Sequence, residues 1–558
     1  MKTLISALIG LLCFLPTEIY TQTWDYIYGS SSRSSYDQGL SITVDNNGYV
    51  YVAGQTKTNY LVVKLNISGS QQWTNTFNGS GNGDDYAKQI VVDGSGNVFV
   101  TGSSYSSNGG WDVVTIKYNS SGSQQWAATY NSNANFNDVG NSLVVDGSGN
   151  VYVTGTANDI NGQFEDVMTL KYNSSGSLQW AVRYNGPGDY HDEAYSICLD
   201  NSSNIYVSGR VFEGVNNNTG MDALIIKYNP SGAQQWIATW DAGSFGDTAY
   251  GEIITSMVIS DSNDIYITGC SAKGVTGTSI FEYNYLTQKY NSSGTLQWTA
   301  QYNGPAANSL NYANDIALST DGYVYITGSS ENSSGNLDYA TVKYSSNGTE
   351  QWIARYDGPG NGDDDAKAIA VDDGGCIFVT GGSLGSGTNI DYATIKYSPS
   401  GSQSSVDRHN GSSSDYDISN DIAVYSSSSL EVNYYFVTGR EKNIDEDCTT
   451  LGYTYLGCSD DGDIVSFNKA PSSNSLMQNY PNPFNPVTQI SFNVGSNGFV
   501  ILKIYDLLGR EIKTLVQEML ASGSYSANWD ASFFPSGIYV YELRTGEFVE
   551  TKRMVLVK

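Results

Sequence analysis

Carboxylate and amide side chains recur at two positions of a repeat that fills most of this 558-residue chain. A ring of such oxygens could bind calcium or a cationic ligand. Short acceptors that return once in every repeat also cap turns through backbone amides, and their regular recurrence favours this structural role. The first position holds Asp37, Asp85, Asp138, Asp192, Asn311, Asp364 and Asp417. The second position holds Asn59, Asp112, Asp166, Asp222, Asn284, Asp338, Asp391 and Asp447.

Denser acidic runs give a second candidate for metal binding. They stand at Asp84 and Asp85, and at Asp363, Asp364 and Asp365. Neither run has the spacing of an EF-hand loop, so a solvated surface is the favoured interpretation. A weak calcium site of the extracellular type is the alternative, and no other cofactor is predicted.

Three irregular loops carry aromatic residues, among them Trp111, Phe281 and Tyr283. Aromatic rings beside carboxylates and amides are the groups with which protein surfaces bind sugars or peptide segments. The simpler interpretation is that each ring packs against its own loop. The candidate binding residues are therefore these three aromatics together with Asp112, Asp166, Asp222, Asp338 and Asp391.

The residues needed for catalysis are scarce. The two histidines, His191 and His409, lie in different repeats and have no partner nearby in the sequence, so a Ser-His-Asp or metal-histidine site is not indicated. Acidic residues abound, but no two of them are singled out as the carboxylate pair of a glycoside hydrolase. No catalytic residue is predicted, and a non-enzymatic protein is favoured.

The element that positions these side chains is a hairpin. The segment 117–126, KYNSSGSQQW, contains the end of one strand, a turn with glycine, and a new strand anchored by tryptophan. Edited copies place tryptophans 49 to 62 residues apart, at Trp24, Trp73, Trp126, Trp180, Trp236, Trp298 and Trp352. A period of about fifty residues indicates a repeat architecture.

Each repeat reads as four short strands, and the VYVTG element occurs in eight copies. Four strands per unit and eight units predict an all-β protein with an eight-bladed β-propeller over residues 23–458; seven blades is the alternative. The last unit lacks a tryptophan strand, whereas Trp24–Tyr28 is a lone strand before the first unit. We therefore expect the N-terminal strand to complete the last blade and close the ring.

The repeats resemble the SBBP repeat of secreted bacterial β-propellers, through DGSGNVFVTG and DGSGNVYVTG at residues 93–102 and 146–155. This resemblance implies a fold rather than an activity.

After a polar linker at 459–478, residues 479–558 alternate in the manner of a small antiparallel β-sandwich with an immunoglobulin-like arrangement. This segment closely resembles the type A C-terminal sorting domain of the type IX secretion system of Bacteroidetes-like bacteria. The resemblance implies export across the outer membrane, with the secretion machinery and surface lipopolysaccharide as partners. It is carried by Tyr480, Pro481, Asn482, Pro483, Phe484, Asp506, Gly509, Trp529, Gly537, Tyr539, Lys552 and Lys558.

Residues 1–22 have the positive start and short apolar run of a secretory signal peptide, and no transmembrane segment is predicted in the mature chain. The formal net charge of -29 argues against nucleic-acid binding. The cysteine spacing indicates neither a disulfide framework nor a zinc site.

The sequence therefore predicts a protein that passes through the periplasm and is secreted or attached to the outer-membrane surface. The favoured function is a non-catalytic module that binds carbohydrate or protein. Two alternatives remain open: a glycan-active hydrolase or lyase that uses carboxylates of the loops, and a structural component of a surface layer.

Overall fold

A computed structural model describes most of the chain. The described residues are 21–29, 36–132, 136–158, 164–214, 220–241, 251–274, 281–306, 309–411, 415–426, 433–442, 446–455, 474–476, 484, 487–494, 498–506, 509–520, 523–531, 534–546 and 548–558. The predicted signal peptide lies outside them, except for its last two residues, which begin the first strand. The chain divides into two compact units, Met1–Asp460 and Asp461–Lys558.

The described residues of the first unit form eight four-stranded antiparallel sheets, which are numbered in chain order. Sheets 1 and 2 are β2 (Asp37–Val44), β3 (Val50–Thr56), β4 (Asn59–Leu65) and β5 (Gln71–Phe77), then β6 (Asp85–Val92), β7 (Val98–Tyr105), β8 (Trp111–Tyr118) and β9 (Gln124–Tyr130). Sheets 3 and 4 are β10 (Asp138–Val145), β11 (Val151–Asn158), β12 (Glu165–Tyr172) and β13 (Leu178–Tyr184), then β14 (Glu193–Leu199), β15 (Ile205–Phe212), β16 (Met221–Tyr228) and β17 (Gln234–Trp240).

The remaining four sheets follow the same order, except that the last takes its outer strand from the N-terminus. Sheets 5 and 6 are β18 (Ile253–Ile259), β19 (Ile265–Gly274), β20 (Phe281–Tyr290) and β21 (Leu296–Tyr302), then β22 (Asn311–Leu318), β23 (Val324–Glu331), β24 (Leu337–Tyr344) and β25 (Glu350–Tyr356). Sheets 7 and 8 are β26 (Asp364–Val371), β27 (Ile377–Leu384), β28 (Ile390–Tyr397) and β29 (Gln403–His409), then β30 (Ile418–Tyr425), β31 (Asn433–Lys442), β32 (Glu446–Tyr455) and β1 (Thr21–Tyr28).

The core lies between neighbouring sheets. The second strand of sheet 3, Val151–Asn158, is buried along its whole length, whereas its fourth strand, Leu178–Tyr184, alternates between half-buried and exposed residues. Adjacent sheets share clusters of apolar side chains; one of them joins Tyr51 and Val62 of sheet 1 to Val100 of sheet 2. A strand packed on both faces loses its alternation, which explains the continuous apolar run of the VYVTG element.

Tryptophan and glycine link each sheet to the next. The indole of Trp126 in sheet 2 donates to the carbonyl of Ser174 in the turn of sheet 3, at 3.1 Å. The indole also covers Gly176 of that turn so closely that a Cβ there would lie 2.6 Å from it. Equivalent bonds come from Trp73, Trp180, Trp236, Trp298 and Trp352. The turn and the tryptophan of the repeat are thus a connector between sheets.

The same contacts join sheet 8 to sheet 1. Strand β1 pairs antiparallel with β32, and Trp24 of β1 donates to the carbonyl of Ile67 in the turn of sheet 1, at 2.8 Å. Asn420 in the first strand of sheet 8 donates from Nδ2 to Gly39 O in the first strand of sheet 1, at 2.7 Å. The equivalent bond between sheets 3 and 4 joins Asn141 Nδ2 to Ala194 O at 2.8 Å. The all-β prediction with repeated four-stranded sheets of a propeller-like fold is confirmed. These contacts are the ones that the predicted N-terminal closure requires.

The second unit is a pair of sheets made of seven strands in its described part. One sheet has the order β33-β34-β37 and the other β36-β35-β38-β39. Their bounds are β33 (Ser475–Leu476), β34 (Val487–Val494), β35 (Gly498–Tyr505), β36 (Glu511–Leu520), β37 (Gly523–Asp530), β38 (Gly537–Thr545) and β39 (Phe548–Leu556). Strand β33 lies within the stretch predicted as a linker at 459–478. The rest of that stretch, apart from Asn474, lies outside the described residues.

One cysteine contradicts the prediction that the chain has no disulfide framework. Cys376 is fully buried and disulfide-bonded, although its spacing gave no sign of a partner. Cys198, Cys270 and Cys448 are free, and burial raises the pKa of each thiol to about 12. In the part of the chain that the structure describes, there is no helix of the length and apolarity needed to cross a membrane.

Candidate functional site

The loop face is defined here as the end of the sheets at which each first strand begins and each second strand ends. At six sheets an aspartate at or next to the start of the first strand is fully buried there and accepts a backbone N–H from the last residue of the second strand or from the residue after it. These bonds join Lys57 N to Asp37 (2.8 Å), Tyr105 N to Asp85 (3.0 Å), Asn158 N to Asp138 (3.2 Å), Phe212 N to Asp192 (2.8 Å), Leu384 N to Asp364 (2.9 Å) and Lys442 N to Asp417 (2.8 Å).

The second oxygen of these aspartates binds the loop that precedes the strand. Gly79 N donates to Asp85 at 2.9 Å, and Gly358 N donates to Asp364 at 2.7 Å. One carboxylate therefore fixes the loop before the first strand to the end of the second strand. Burial raises the pKa of Asp85 and Asp364, and the backbone hydrogen bonds oppose that rise. This geometry supports the structural interpretation of the first acidic set.

Four members of the second acidic set are paired with a residue of their own sheet or next to it. The guanidinium groups of Arg183, Arg355 and Arg408 bond Asp166, Asp338 and Asp391, each at 2.9 Å. The arginine lies three residues after the sheet's tryptophan in sheets 3 and 6, and at the same strand position in sheet 7, where Ser405 replaces the tryptophan. In sheet 2, Asn131 Nδ2 donates to Asp112 at 2.8 Å.

Asp222 of sheet 4 has no arginine opposite it, because Thr239 takes the place of the arginine. It is 2% exposed, and its Oδ1 atom is buried without a hydrogen-bond partner. Asp391 Oδ1 is likewise unpartnered, but the other oxygen of Asp391 bonds Arg408. Burial, followed by the charges of Asp241, Glu213 and Glu252, raises the pKa of Asp222 to about 8.

The described aromatic residues of this prediction pack against other rings of the protein. Trp111 donates to the backbone oxygen of Asp84 at 3.0 Å and contacts the rings of Tyr86 and Tyr105 at centroid distances of 6.4 and 6.1 Å. Tyr283 packs on Tyr312 of the next sheet at 5.4 Å. The side chain of Phe281 lies outside the described part of the structure. Trp111 thus contacts its own loop only at Tyr105, and a binding role for these aromatic residues stays a prediction.

Sequence reasoning missed a set of exposed residues on the loop face. Five sheets place a large apolar side chain one or two residues before the buried aspartate or asparagine. These residues are Tyr36, Phe136, Tyr190, Leu310 and Tyr416, with exposed fractions of 38, 43, 38, 36 and 47%. Their fixed distance from the recurring acceptor is the signal that could have revealed them.

The densest aromatic group on this face lies between sheets 3 and 4. The ring of Tyr190 lies 4.7 Å from Phe164, 4.7 Å from His191 and 5.1 Å from Phe212, measured between centroids. The Nδ1 atom of His191 lies 3.8 Å from a carboxylate oxygen of Glu165. Rings beside an imidazole and a carboxylate offer both stacking and hydrogen bonds to a ligand.

The acidic runs proposed for calcium do not converge. Asp85 binds backbone N–H groups, whereas the exposed Asp84 has only a 3.4 Å contact with the Tyr86 hydroxyl. In the second run, Asp363 accepts from Leu337 N at 3.0 Å, and Asp365 accepts from Asn314 at 3.1 Å. Weak calcium binding at these residues stays a prediction, but each carboxylate contacts a different part of the protein.

Two groups of carboxylates do converge among the described residues. The first comprises Asp222, Asp241 and Glu252, and the second comprises Asp338, Asp357 and Asp364. In each group the ligand oxygens lie within 4.8 Å of one another. The second group already contains the guanidinium of Arg355 and the backbone amides bound to Asp364.

The histidines are paired with acids rather than with nucleophiles. His409 Nε2 lies 3.0 Å from Glu441, which also accepts from the hydroxyl of Thr449 at 3.0 Å. Burial opposes protonation of His409, but the hydrogen bond and charge of Glu441 raise its pKa above the ordinary value. A surface cavity of about 390 Å³ is lined by Gln38, Leu40, Tyr86 and Lys88, none of which is a carboxylate or a histidine.

In the second unit, the predicted sorting residues divide into core and turn positions. Phe484 and Trp529 are buried with ring centroids 5.4 Å apart, and Tyr539 packs on Trp529 at 5.1 Å. Asp506 and Gly509 form a turn closed by a 3.0 Å backbone bond, with Gly509 at a φ of +77°.

The other sorting residues that the structure describes lie outside this core cluster. Gly537 begins β38, Lys552 lies 3.5 Å from Glu550, and Lys558 N donates to Ser536 at 3.0 Å. Residues Tyr480 to Pro483 lie outside the described residues.

Among solved structures, three similar ones have about 10% sequence identity to this chain. PorZ, described as an essential bacterial surface component of the type-IX secretion system of Porphyromonas gingivalis, is 10% identical with a TM-score of 0.27, covering 93% of this chain and 81% of its own. A protein from Lactobacillus plantarum is 11% identical with a TM-score of 0.36, covering 75% and 95%. Prolyl oligopeptidase B from Galerina marginata is 10% identical with a TM-score of 0.39, covering 73% and 56%. At these scores the similarities support no functional argument.

The comparison with curated proteins gave no match. In the comparison with protein families, a model described as a secretion system C-terminal sorting domain matches residues 478–558. The SBBP resemblance of the repeats stays a prediction. The predicted sorting domain is confirmed: the chain ends in a secretion system C-terminal sorting domain, which implies export to the cell surface or secretion.

Proposed function

We propose that this protein is exported by the type IX secretion system and that its propeller-like unit is a non-catalytic module, which binds carbohydrate or protein on the loop face. The observation that carries the binding proposal is the set of exposed apolar residues at Tyr36, Phe136, Tyr190, Leu310 and Tyr416. Exposed aromatic side chains in a repeated arrangement fit an extended ligand that contacts several sheets.

The use of the acidic residues supports binding rather than catalysis. A catalytic carboxylate needs access to substrate, whereas Asp85 and Asp364 are fully buried and bind backbone amides. Asp338 and Asp391 are buried against arginine. The carboxylates of these sheets therefore stabilise the loops that present the exposed side chains.

The export route rests on the sorting domain and agrees with the chemistry of the first unit. Disulfides persist in oxidising compartments such as the periplasm and the cell surface, and Cys376 is disulfide-bonded. Attachment to surface lipopolysaccharide after sorting is part of the proposal.

Binding can be tested with the full-length protein and a panel of polysaccharides and polypeptides. We expect saturable retention without product release, and at least a tenfold loss of affinity, about 1.4 kcal/mol, in the triple variant Tyr36→Ala, Tyr190→Ala, Tyr416→Ala. The matched control replaces exposed apolar residues of the fourth strands, Leu178, Leu296 and Ile353, by alanine and should bind normally.

The outcomes of this experiment separate the three functional classes. Release of shortened polysaccharide would contradict the proposal in favour of a hydrolase or lyase. Retention by neither variant nor parent, for any ligand, would favour a structural surface-layer component. Unchanged binding by the triple variant would show that the loop face is not the binding surface.

Export can be tested in a host that has a type IX system. A chain without residues 478–558 should accumulate in the periplasm, whereas the complete chain should reach the surface, as measured by surface labelling of intact cells. Surface labelling of the shortened chain would rule out this route.

A further inference from the structure

Three acidic side chains meet where sheet 4 adjoins sheet 5. Asp222 is the second residue of β16, Asp241 follows β17, and Glu252 precedes β18. Glu252 N donates to Met221 O at 2.7 Å, which holds the entry to sheet 5 against the start of β16. One oxygen from each of the three carboxylates lies within 4.8 Å of the other two.

An unsatisfied buried atom distinguishes this group from an ordinary acidic surface. Asp222 is 98% buried, being 2% exposed, and its Oδ1 has no hydrogen-bond donor. A buried carboxylate oxygen without a partner is costly, and native proteins seldom leave such an atom uncompensated. A cation between the three carboxylates would compensate it.

The other sheets show which charge belongs at this position. Asp166, Asp338 and Asp391 occupy the place of Asp222 in sheets 3, 6 and 7, and each bonds an arginine at 2.9 Å. In sheet 4 the residue three positions after Trp236 is Thr239, which carries no charge. Sheet 4 therefore keeps the carboxylate of the repeat and lacks its cation.

We propose that Asp222, Asp241 and Glu252 bind a divalent cation, Ca²⁺, which takes the position that a guanidinium occupies in sheets 3, 6 and 7. Calcium fits because all three ligands are carboxylate oxygens, and neither histidine nor cysteine belongs to the group. The cation links the third strand of sheet 4 to Glu252, the residue before the first strand of sheet 5, so its binding stabilises this junction. The proposal does not depend on the proposed ligand of the loop face.

Calorimetric titration of the full-length protein with CaCl₂ tests the proposal directly. We expect saturable binding with a dissociation constant on the order of 10⁻⁴ to 10⁻³ M, as in extracellular calcium modules. Calcium should also raise the melting temperature by about 2–4 °C relative to the protein in EDTA.

Two variants test the site in opposite ways. Asp222→Asn removes a ligand and should weaken calcium binding at least tenfold. Thr239→Arg supplies the guanidinium of the other sheets, so it should raise the melting temperature in EDTA and abolish the response to calcium. The matched control, Asp261→Asn, removes an exposed carboxylate of sheet 5 and should bind calcium like the parent.

Calcium binding that is unchanged in Asp222→Asn would overturn the proposal. The proposal would also fail if the parent protein showed no saturable binding up to about 10 mM calcium, which is well above the expected dissociation constant. If Thr239→Arg fails to fold, the calcium titration of Asp222→Asn alone tests the proposal. Variants Asp84→Asn and Asp363→Asn should keep the response, which separates this site from the acidic runs.

Discussion

At the scale of single residues, the aspartate at the start of the first strand has two hydrogen-bonding duties. Its two oxygens accept N–H groups from the preceding loop and from the end of the second strand, as Asp138 does from Ser132 at 2.7 Å and from Asn158 at 3.2 Å. An asparagine can replace it by donating instead: Asn311 Nδ2 bonds Tyr283 O at 2.9 Å and Asn303 O at 3.0 Å. The position requires a short side chain with two polar atoms rather than a charge.

The first prediction concerns one of these aspartates. Asp85→Ala leaves Gly79 N, Tyr105 N and the Ser104 hydroxyl without their acceptor, because all three donate to this carboxylate. We expect the free energy of unfolding to fall by about 2–4 kcal/mol, measured by chemical denaturation followed by tryptophan fluorescence.

The neighbouring Asp84 provides the control, because it is exposed and its side chain has only a 3.4 Å contact with Tyr86. Asp84→Ala should change the free energy of unfolding by less than about 0.5 kcal/mol. Equal effects of the two substitutions would mean that the buried hydrogen bonds do not matter for stability.

Several buried titratable groups make the free energy of unfolding fall as the pH rises. Burial raises the pKa of Asp421 to about 7 and that of Asp192 to about 6, so the folded protein holds these protons more tightly than the unfolded chain. Glu441 raises the pKa of His409 against the effect of burial. All three contributions are present at low pH and are lost as the pH rises through the folded-state pKa values.

We therefore expect the free energy of unfolding to fall by on the order of 3 kcal/mol between about pH 5 and pH 8, measured by denaturant titration at each pH. The variant Asp421→Asn should reduce the slope, whatever its effect at a single pH. A stability that rises with pH over this interval would contradict the assignment of these groups.

At the scale of elements, the hairpin of the repeat connects sheets as well as strands. Lys343 of sheet 6 donates to Pro399 O at 2.9 Å, the same turn carbonyl that accepts from Trp352 at 3.0 Å. The lysine also lies over the ring of Tyr323, at 3.9 Å from its centroid. The lysine and the tryptophan of one hairpin thus both bind the turn of the following sheet.

The glycine of the turn should be intolerant of a side chain for two separable reasons. Gly176 has a φ of +82°, and its Cβ would meet the Trp126 ring at 2.6 Å. Gly322 has a φ of +85° with nothing within 4 Å of its Cβ, so it isolates the backbone strain.

We expect Gly176→Ala to lower the free energy of unfolding by about 3 kcal/mol and Gly322→Ala by about 1 kcal/mol. Denaturant titration of both variants measures the difference. Similar values for the two would show that the indole adapts to a methyl group, and that the close approach adds nothing to stability.

The elements were more predictable than the partners of individual side chains. The alternation around Thr115 and Lys117, the glycine of the turn and the recurring tryptophan are local patterns, and they predicted the strands and hairpins that the structure contains. The pairing of Asp338 with Arg355 depends on strand register, which aligns the third and fourth strands of one sheet. The missing arginine opposite Asp222 was visible in the sequence only once that register was known.

At the scale of the whole propeller-like unit, the links between sheets repeat in one direction. Asp315 of sheet 6 accepts from Ile369 N of sheet 7 at 3.0 Å, and Asp421 of sheet 8 accepts from Ile42 N of sheet 1 at 2.8 Å. The N-terminal strand adds the corresponding tryptophan contact. Stability of the last sheet therefore depends on a strand that lies more than 400 residues away in the chain from its partner strand β32.

Trp24 is the residue on which this long-range link depends most. Its ring stacks on Phe436 with centroids 5.8 Å apart, and it lies against Gly69 of sheet 1 and Gly452 of sheet 8. We expect Trp24→Ala to lower the free energy of unfolding by about 3 kcal/mol, because it removes both a large half-buried ring and the bond to Ile67 O. It should also expose β1 to limited proteolysis, since a released strand leaves the edge of β32 unpaired.

Ile27 lies on the same strand but is 45% exposed, so Ile27→Ala should leave the unfolding free energy within about 1 kcal/mol of the parent and the N-terminus protected. Limited proteolysis followed by mass spectrometry locates the first cleavage in each variant. If Trp24→Ala and Ile27→Ala are cut at the same sites and at the same rate, β1 does not hold the eighth sheet to the first. In that case the bonds from Asp421 and Asn420 must be sufficient to join them.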